Sequence, residues 1–308
     1  MKTLRIGTRK SALALWQAEH VRERLLASHS DLEIELVKIT TEGDRILDRP
    51  LAAAGGKGLF IKELEQALFD GRIDLAVHSM KDLTVTLPDG LHIAAVLERA
   101  DARDAFVSNR YARLSELPAG ARIGTSSLRR RAQLGARYPQ YEILNLRGNV
   151  NTRLAKLDAG EFDAVILAVA GLERLSMGAR VRERLDPADS LPAVAQGVIC
   201  IESRRDDAST NRLLAALEHA PTRRCVAAER ALNAELQGGC QLPIAGYAVL
   251  ERETLHLRGL VGAPDGGQIV RAEARGPAAE PEVLGRQVAH DLIARGARAI
   301  IEAIHGRA

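Results

Sequence analysis

Three places in this 308-residue chain bring chemically capable side chains together. At His78-Ser79-Met80-Lys81-Asp82, an imidazole, a hydroxyl, an ammonium and a carboxylate follow an apolar run that reads as a buried strand. General acid–base catalysis needs such groups close together, and ligands of open α/β sheets bind at the carboxyl ends of the strands. The second place runs from Gly124 to Arg153. It reads Gly-Thr-Ser-Ser-Leu-Arg-Arg-Arg, then a helical run to Tyr138, then Leu-Arg-Gly-Asn-Val-Asn-Thr-Arg from Leu146. Ser126 or Ser127 is the expected N-cap, which puts Arg129, Arg130 and Arg131 in the first helical turn. A cation there opposes the helix dipole at a cost of roughly 0.3–1 kcal/mol. Three in a row beside free backbone N–H groups suit a bound anion, and guanidinium matches carboxylate or phosphate in bidentate geometry. Arg147 and Arg153 flank a second turn at Gly148-Asn149, so the two corners read as one polyanion site. The third place is Cys240, in Gly-Gly-Cys-Gln-Leu-Pro. Flanking glycines leave its sulfur accessible as a nucleophilic or covalently modified thiol. Cys200 and Cys225, in apolar surroundings, read as core positions.

The composition limits what these groups serve. With 43 basic and 40 acidic residues the net charge is +3, so bulk nucleic-acid binding is not implied. Seven of the basic residues are lysine and 36 arginine. Aromatics make up 3% of the chain, too few for a single-strand binder that stacks bases. Three widely spaced cysteines form no disulfide framework, and without a C-x-x-C pair no metal site is expected. The N-terminus enters a strand with no signal-peptide apolar core, and no apolar run approaches membrane-spanning length. A cytoplasmic protein with no membrane partner is expected.

The elements that must position these residues alternate strand and helix. Leu4–Thr8 is a strand, Ser11 an N-cap, and Ala12–Ala27 a helix with Leu13, Trp16, His20, Val21 and Leu25 near one face. Glu33–Thr40 is a strand. Residues 41–58 have no period and read as a mobile lid. A helix at Leu59–Asp70 and strands at Ile73–His78 and Leu91–Leu97 complete a largely parallel α/β unit. A second unit follows a charged linker at 99–103. It has strands at 105–107, 122–124, 142–146 and 164–170, and helices at 127–138 and 150–159. An extended link at 191–197 leads to a strand at 198–202, which returns to the first sheet, and a helix at 206–217. The expected architecture is two periplasmic-binding-protein-like α/β lobes with the ligand in a central cleft, plus a small C-terminal α+β domain. That last domain comprises a helix from Pro221 to about Leu236, three antiparallel strands, and one closing helix from Pro281 to Ile304 with an apolar stripe at Val283, Val288, Leu292 and Ile293. The domains are 1–98 with 198–217, 99–197, and 218–308.

Several motifs in this order resemble those of the porphobilinogen deaminase (hydroxymethylbilane synthase) family. They are Ile-Gly-Thr-Arg-Lys-Ser at 6–11, Gly-Gly-Lys-Gly-Leu-Phe at 55–60, Ala-Val-His-Ser-Met-Lys-Asp at 76–82, and Gly-Thr-Ser-Ser-Leu-Arg-Arg at 124–130. Leu-Arg-Gly-Asn-Val at 146–150, Ala-Glu-Arg at 228–230 and Glu-Leu-Gln-Gly-Gly-Cys at 235–240 extend the match. The resemblance implies a transferase of haem and other tetrapyrrole biosynthesis. Such an enzyme joins four porphobilinogen units head to tail, releases ammonia and yields hydroxymethylbilane, primed by a dipyrromethane held through a thioether to a cysteine. It implies Cys240 as that cysteine and Asp82, with Arg9 and Lys81, as catalytic. It implies cofactor contacts at Ser79, Lys81, Asp82, Thr125, Ser127, Arg129, Arg130 and Arg147. Substrate contacts fall at Arg9, Ser11, Phe60, Arg147, Arg153, Arg174 and Gln196. No metal is implied, and a monomer is. Leu83-Thr84, Ala195 and Glu42 depart from the family's usual valine–proline, glycine and basic residue. The alternative is a two-lobed small-anion-binding protein without catalysis, in which Cys240 has no role.

Overall fold

The structure is a computed structural model and describes residues 3–45, 58–239 and 241–306. In chain order the first elements are β1 (Thr3–Arg9), α1 (Ala12–Ser28), β2 (Glu33–Ile39), the single turn α2 (Glu42–Arg45), α3 (Lys62–Phe69), β3 (Leu75–Ser79) and β4 (Leu91–Val96). Next come β5 (Asp104–Val107), β6 (Arg122–Gly124), α4 (Leu128–Arg137), β7 (Glu142–Leu144), α5 (Val150–Asp158), β8 (Ala164–Ala168), α6 (Val169–Arg174) and β9 (Glu183–Arg184). The chain then forms β10 (Ile199–Arg204), α7 (Ala208–Leu214), α8 (Ala220–Glu235), β11 (Ile244–Glu251), β12 (Thr254–Gly262), β13 (Ile269–Pro277), α9 (Pro281–Ala294) and α10 (Ala297–His305). Of the expected lid, 46–57 lie outside the described residues. Among the described residues no helix is long and apolar enough to cross a membrane.

The chain divides into two compact units, 1–100 with 198–223 and 101–197 with 224–308. The first holds a five-stranded sheet in the order β2-β1-β3-β10-β4, and the second one in the order β7-β6-β8-β5-β9. The orders correspond strand for strand. β1 is parallel to β2 and β3, as β6 is to β7 and β8. In each sheet one strand runs antiparallel to both neighbours: β10 between β3 and β4, and β5 between β8 and β9. Each is the first strand after the chain passes from one unit to the other. The sheets are therefore mixed, where periodicity suggested largely parallel ones, and β10 does return to the first sheet.

Helices cover both faces of each sheet, so the strands are buried on both sides and read as apolar runs. In the first unit, Leu4, Ile6, Leu75, Val77 and Ile201 pack with Ala18, Val21 and Leu25 of α1, while Ile73, Ala76 and Leu91 pack with Leu64 and Leu68 of α3. The expected stripe of α1 is rotated. Ala14, Gln17, Ala18, Val21 and Leu25 are buried, because alanines let the helix approach the sheet closely. Trp16 is 37% exposed and stacks on His20. In the second unit, Leu154 and Leu157 of α5 pack on Val107, Val165 and Leu167, and Leu134 of α4 on Ile123, Ala164 and Ile166.

The second unit also holds the antiparallel sheet β11-β12-β13, whose apolar face packs on α8, α9 and α10. The expected single closing helix is two, because Gly296 takes φ 99° and starts α10 afresh. Val283 of the expected stripe is 50% exposed, whereas Val288 and Leu292 are fully buried. The loop between β12 and β13 seats on α4. Gly266, at φ 81°, leaves no room for a side chain, since a Cβ there would lie 2.3 Å from the Ala136 nitrogen. Gly266→Ala combines a left-handed alanine with a backbone clash. It is expected to lower the unfolding free energy by about 2 kcal/mol or more in denaturant titration; a loss below about 0.5 kcal/mol contradicts this seating.

Candidate active site

In the first unit, β1 ends at Arg9 and α1 begins two residues on, with the Ser11 Oγ accepting from the Ala14 N–H at 3.3 Å. The Arg9 Nε stands 3.2 Å from both carboxylate oxygens of Asp44, and its Nη2 pairs with the same group. The guanidinium lies over the Phe60 ring, 4.1 Å from its centre, so Arg9 and Phe60 form one cluster. Thr41 fixes the counter-ion by donating Oγ1 to Asp44 at 2.8 Å. Burial pushes the Asp44 pKa up, but Arg9 and Thr41 outweigh it and hold the carboxyl below its usual range.

Ser79, Lys81 and Asp82 sit on one corner, where β3 passes into a single 3₁₀ turn, Met80–Asp82. The Met80 N–H donates to the Val198 carbonyl at 2.9 Å, and Gln17 Nε2 donates to the Ser79 Oγ at 2.8 Å. Lys81 and Asp82 are half-buried, above buried Met80 and Leu83. His78 does not join them. Successive strand residues face opposite sides, so His78 points away from Ser79 and pairs its Nε2 with Glu202 at 2.9 Å, both side chains buried. Glu65 of α3 is buried in the same region; burial first, then Glu202, pushes its pKa up.

In the second unit Ser127 caps α4 by accepting from the Arg130 N–H at 3.4 Å, and itself donates N–H to the Thr125 Oγ1 at 3.3 Å. Arg129 and Arg130 are 3% and 5% exposed, and both grip the fully buried Asp104. Arg129 donates Nη1 to Oδ2 at 2.8 Å and Nη2 to Oδ1 at 3.1 Å. Arg130 donates Nε and Nη2 to Oδ1 at 3.0 and 2.7 Å. Gln196 joins them, donating Nε2 to the same Oδ1 at 2.9 Å and to the Ala102 carbonyl at 2.7 Å. Burial pushes the Asp104 carboxyl up, and the two guanidiniums overcome it, leaving its pKa far below the usual range. For Arg130 burial is the largest influence and lowers the pKa, while Asp104 pulls it back up.

The Nε of Arg147 is buried, no acceptor among the described residues reaches it, and burial lowers its pKa. The Nε atoms of Arg129 and Arg131 are in the same position. Arg153 donates Nε to the Gly148 carbonyl at 2.8 Å, on the turn capped by Asn149. Arg174, at the end of α6, donates to the Gly197 carbonyl at 2.7 Å, and burial lowers its pKa to about 10. Ala195, at the family's glycine position, takes φ 58°, and its N–H is held at 2.7 Å by Glu229 of α8. Leading to Cys240, Gln237 takes φ 52° and the Gly238 N–H bonds the Asn233 carbonyl at 2.7 Å. Cys240 itself lies outside the described residues.

Comparison with known proteins decides what this arrangement is. A family described as porphobilinogen deaminase, dipyromethane cofactor binding domain, matches residues 4–212, and the C-terminal domain of the same family matches 223–294. The chain belongs to the porphobilinogen deaminase family. Similar solved structures include the VFT2 domain of Bordetella pertussis BvgS, at 15% identity over 70% of this chain and 86% of that one, with a TM-score of 0.43. Others are a periplasmic substrate-binding protein from Coxiella burnetii (13% identity, 70% and 92% covered, TM-score 0.44) and the aliphatic sulphonate binding protein SsuA from Escherichia coli (15%, 77% and 71%, 0.41).

A porphobilinogen deaminase joins porphobilinogen units into the linear tetrapyrrole hydroxymethylbilane, releasing ammonia and using a dipyrromethane primer. The second unit fits such a group. Each pyrrole of a dipyrromethane carries an acetate and a propionate, and the buried Nε atoms of Arg129, Arg131 and Arg147 meet no acceptor among the described residues. Three carboxylates that hold expected site residues or their neighbours were not singled out from the sequence: Asp44, Asp104 and Glu202. Asp104 and Glu202 left one trace, a carboxylate standing within or against an apolar strand, in Asp-Ala-Phe-Val and Ile-Cys-Ile-Glu. A carboxyl depressed in the folded state stabilises above its unfolded pKa, about 3.9 for aspartate, and loses that contribution as pH falls through the folded value. Asp44, Asp104 and Asp207 are all depressed. The urea midpoint is therefore expected to fall steadily as pH drops below about 5; a midpoint unchanged down to pH 2 contradicts these pairings.

Proposed function

We propose that Asp82 is the carboxylate that works on the reacting carbon centre, that Cys240 carries the dipyrromethane as a thioether, and that the arginines bind the carboxylates of the growing chain. The observation that carries this reading is that the buried Nε atoms of Arg129, Arg131 and Arg147, all in the second unit, meet no acceptor among the described residues. A deaminase handles a chain that gains two carboxylates with every ring, and fixed bidentate cations suit it.

Loss of ammonia from porphobilinogen leaves an azafulvene cation, and attack on it puts positive charge on a ring nitrogen. A half-buried carboxylate such as Asp82 stabilises that charge without reorganising and takes up and returns the proton the exchange requires. Lys81, next on the same turn, anchors a carboxylate nearby. The bound dipyrromethane supplies the nucleophilic carbon from which the chain grows. Thr125, Ser127, Arg129, Arg130, Arg147 and Ser79 hold its polar groups. Arg9, with Phe60 and Ser11 beside it, and Arg153, Arg174 and Gln196 serve the incoming substrate. The three-domain division and a cytoplasmic, monomeric state belong to the same reading; thiols at buried Cys200 and Cys225 suit a reducing compartment.

Two experiments test it. Intact mass of the purified enzyme is expected to exceed the chain mass by two pyrrole units, and Cys240→Ala is expected to remove the excess; active enzyme of unmodified mass overturns the attachment. Asp82→Asn is expected to retain the mass excess while kcat falls about 10²- to 10⁴-fold. Normal turnover in that variant removes Asp82 from the chemistry.

A further inference from the structure

The partners of Asp104 have the wrong stoichiometry for a structural salt bridge. One arginine balances one carboxylate, yet here two buried guanidiniums share a single one, and among the described residues neither has another carboxylate partner. The cluster thus keeps one positive charge out of water. One guanidinium already balances Asp104, and a second buried cation adds a desolvation cost, so stability does not account for the second arginine.

The donors point the same way. A guanidinium has five N–H groups. Arg129 directs two at Asp104 and one at the Leu191 carbonyl, 2.7 Å away. Arg130 directs two at Asp104 and one at the Ile166 carbonyl, also at 2.7 Å. Among the described residues each retains two N–H groups without an acceptor, and the buried Nε of Arg129 supplies one of them. Asp104 has no such spare capacity. Its Oδ1 already accepts from Arg129, Arg130 and Gln196, and its Oδ2 from Arg129 and from Ser190 Oγ at 2.9 Å. A further carboxylate can be met only by the arginines, in the orientation Asp104 gives them.

We propose that Asp104 is a positioning residue for the cofactor. It locks Arg129 and Arg130 at the start of α4 and leaves them one net charge, matched to one carboxylate of the dipyrromethane. The inference rests on the reading of the two arginines as cofactor-binding. Asp104 touches no cofactor; it acts through the guanidiniums, and Ser190 and Gln196 keep it in place.

The test measures cofactor per folded molecule. Wild type, Asp104→Asn and Asp104→Glu are purified as the folded fraction by size exclusion, checked by circular dichroism and thermal unfolding, and weighed intact. Asp104→Asn keeps the shape and removes the charge; its folded molecules are expected to carry at least tenfold less cofactor. Asp104→Glu keeps the charge balance but displaces the carboxylate by one methylene. It is expected to regain loading over Asp104→Asn, with kcat reduced about tenfold or more by the shifted arginines. Folded Asp104→Asn loaded like wild type overturns the inference, whatever its yield. If Asp104→Asn does not fold, Asp104→Glu decides: wild-type loading and kinetics overturn the inference, and a loss in either supports it. A wild type with no mass excess contradicts instead the cofactor reading on which the inference rests.

Discussion

Much of the second unit hangs on one carboxylate. Asp104 opens β5, the first strand after the chain enters this unit, and it gathers the start of α4 and the link before β10. These three segments are remote in sequence and have no backbone ladder in common. What joins them is a fully buried anion whose desolvation must be compensated by good hydrogen bonds. Arg129, Arg130, Ser190 and Gln196 supply them. Arg129 and Gln133 both reach the Leu191 carbonyl, and Gln133 accepts the Leu191 N–H at 2.7 Å, so the link is pinned along the inner face of the helix.

A second fixed point lies in the same link. Ala195 adopts a left-handed conformation that costs an alanine roughly 1–2 kcal/mol. Glu229 offsets it by accepting the Ala195 N–H through one oxygen and the Ala248 N–H through the other, at 2.7 and 2.8 Å. The Ala-Glu-Arg motif on α8 thereby ties the link to the small antiparallel sheet. In the first unit Arg9 plays a looser version of the same part. It is held between Asp44 and the Phe60 ring but stays partly exposed to solvent.

Local signals in the sequence carried most of the architecture. Ser11 and Ser127 cap the helices they precede, because a side-chain oxygen three residues before a free N–H is a short-range relation. The apolar runs at 75–79, 164–168 and 199–204 became central strands for the same kind of reason. What stayed hidden depends on distant partners. His78 turns to Glu202, 124 positions away, and Arg129 to Asp104, 25 positions away. No periodicity encodes such a choice; it is set by which buried carboxylate needs a donor. The inward turn of Arg129 and Arg130 could not be told from an outward one by residue type, since a guanidinium row before an apolar stripe suits either. The break at Gly296 was of another kind, for a lone glycine inside a helical pattern is compatible with both continuation and interruption.

The placement of β10 bears on how the chain is made. It lies between β3 and β4, yet it is synthesised about a hundred residues after them. Until it emerges, the facing edges of β3 and β4 have no partner, and the N-terminal sheet cannot close. The strands of the second sheet, β5 to β9, lie within one continuous stretch and meet no such delay. On a ribosome, where domains generally fold as they emerge, the first sheet waits for a strand made after every strand of the second sheet. During that interval its unpaired strand edges are open to mispairing.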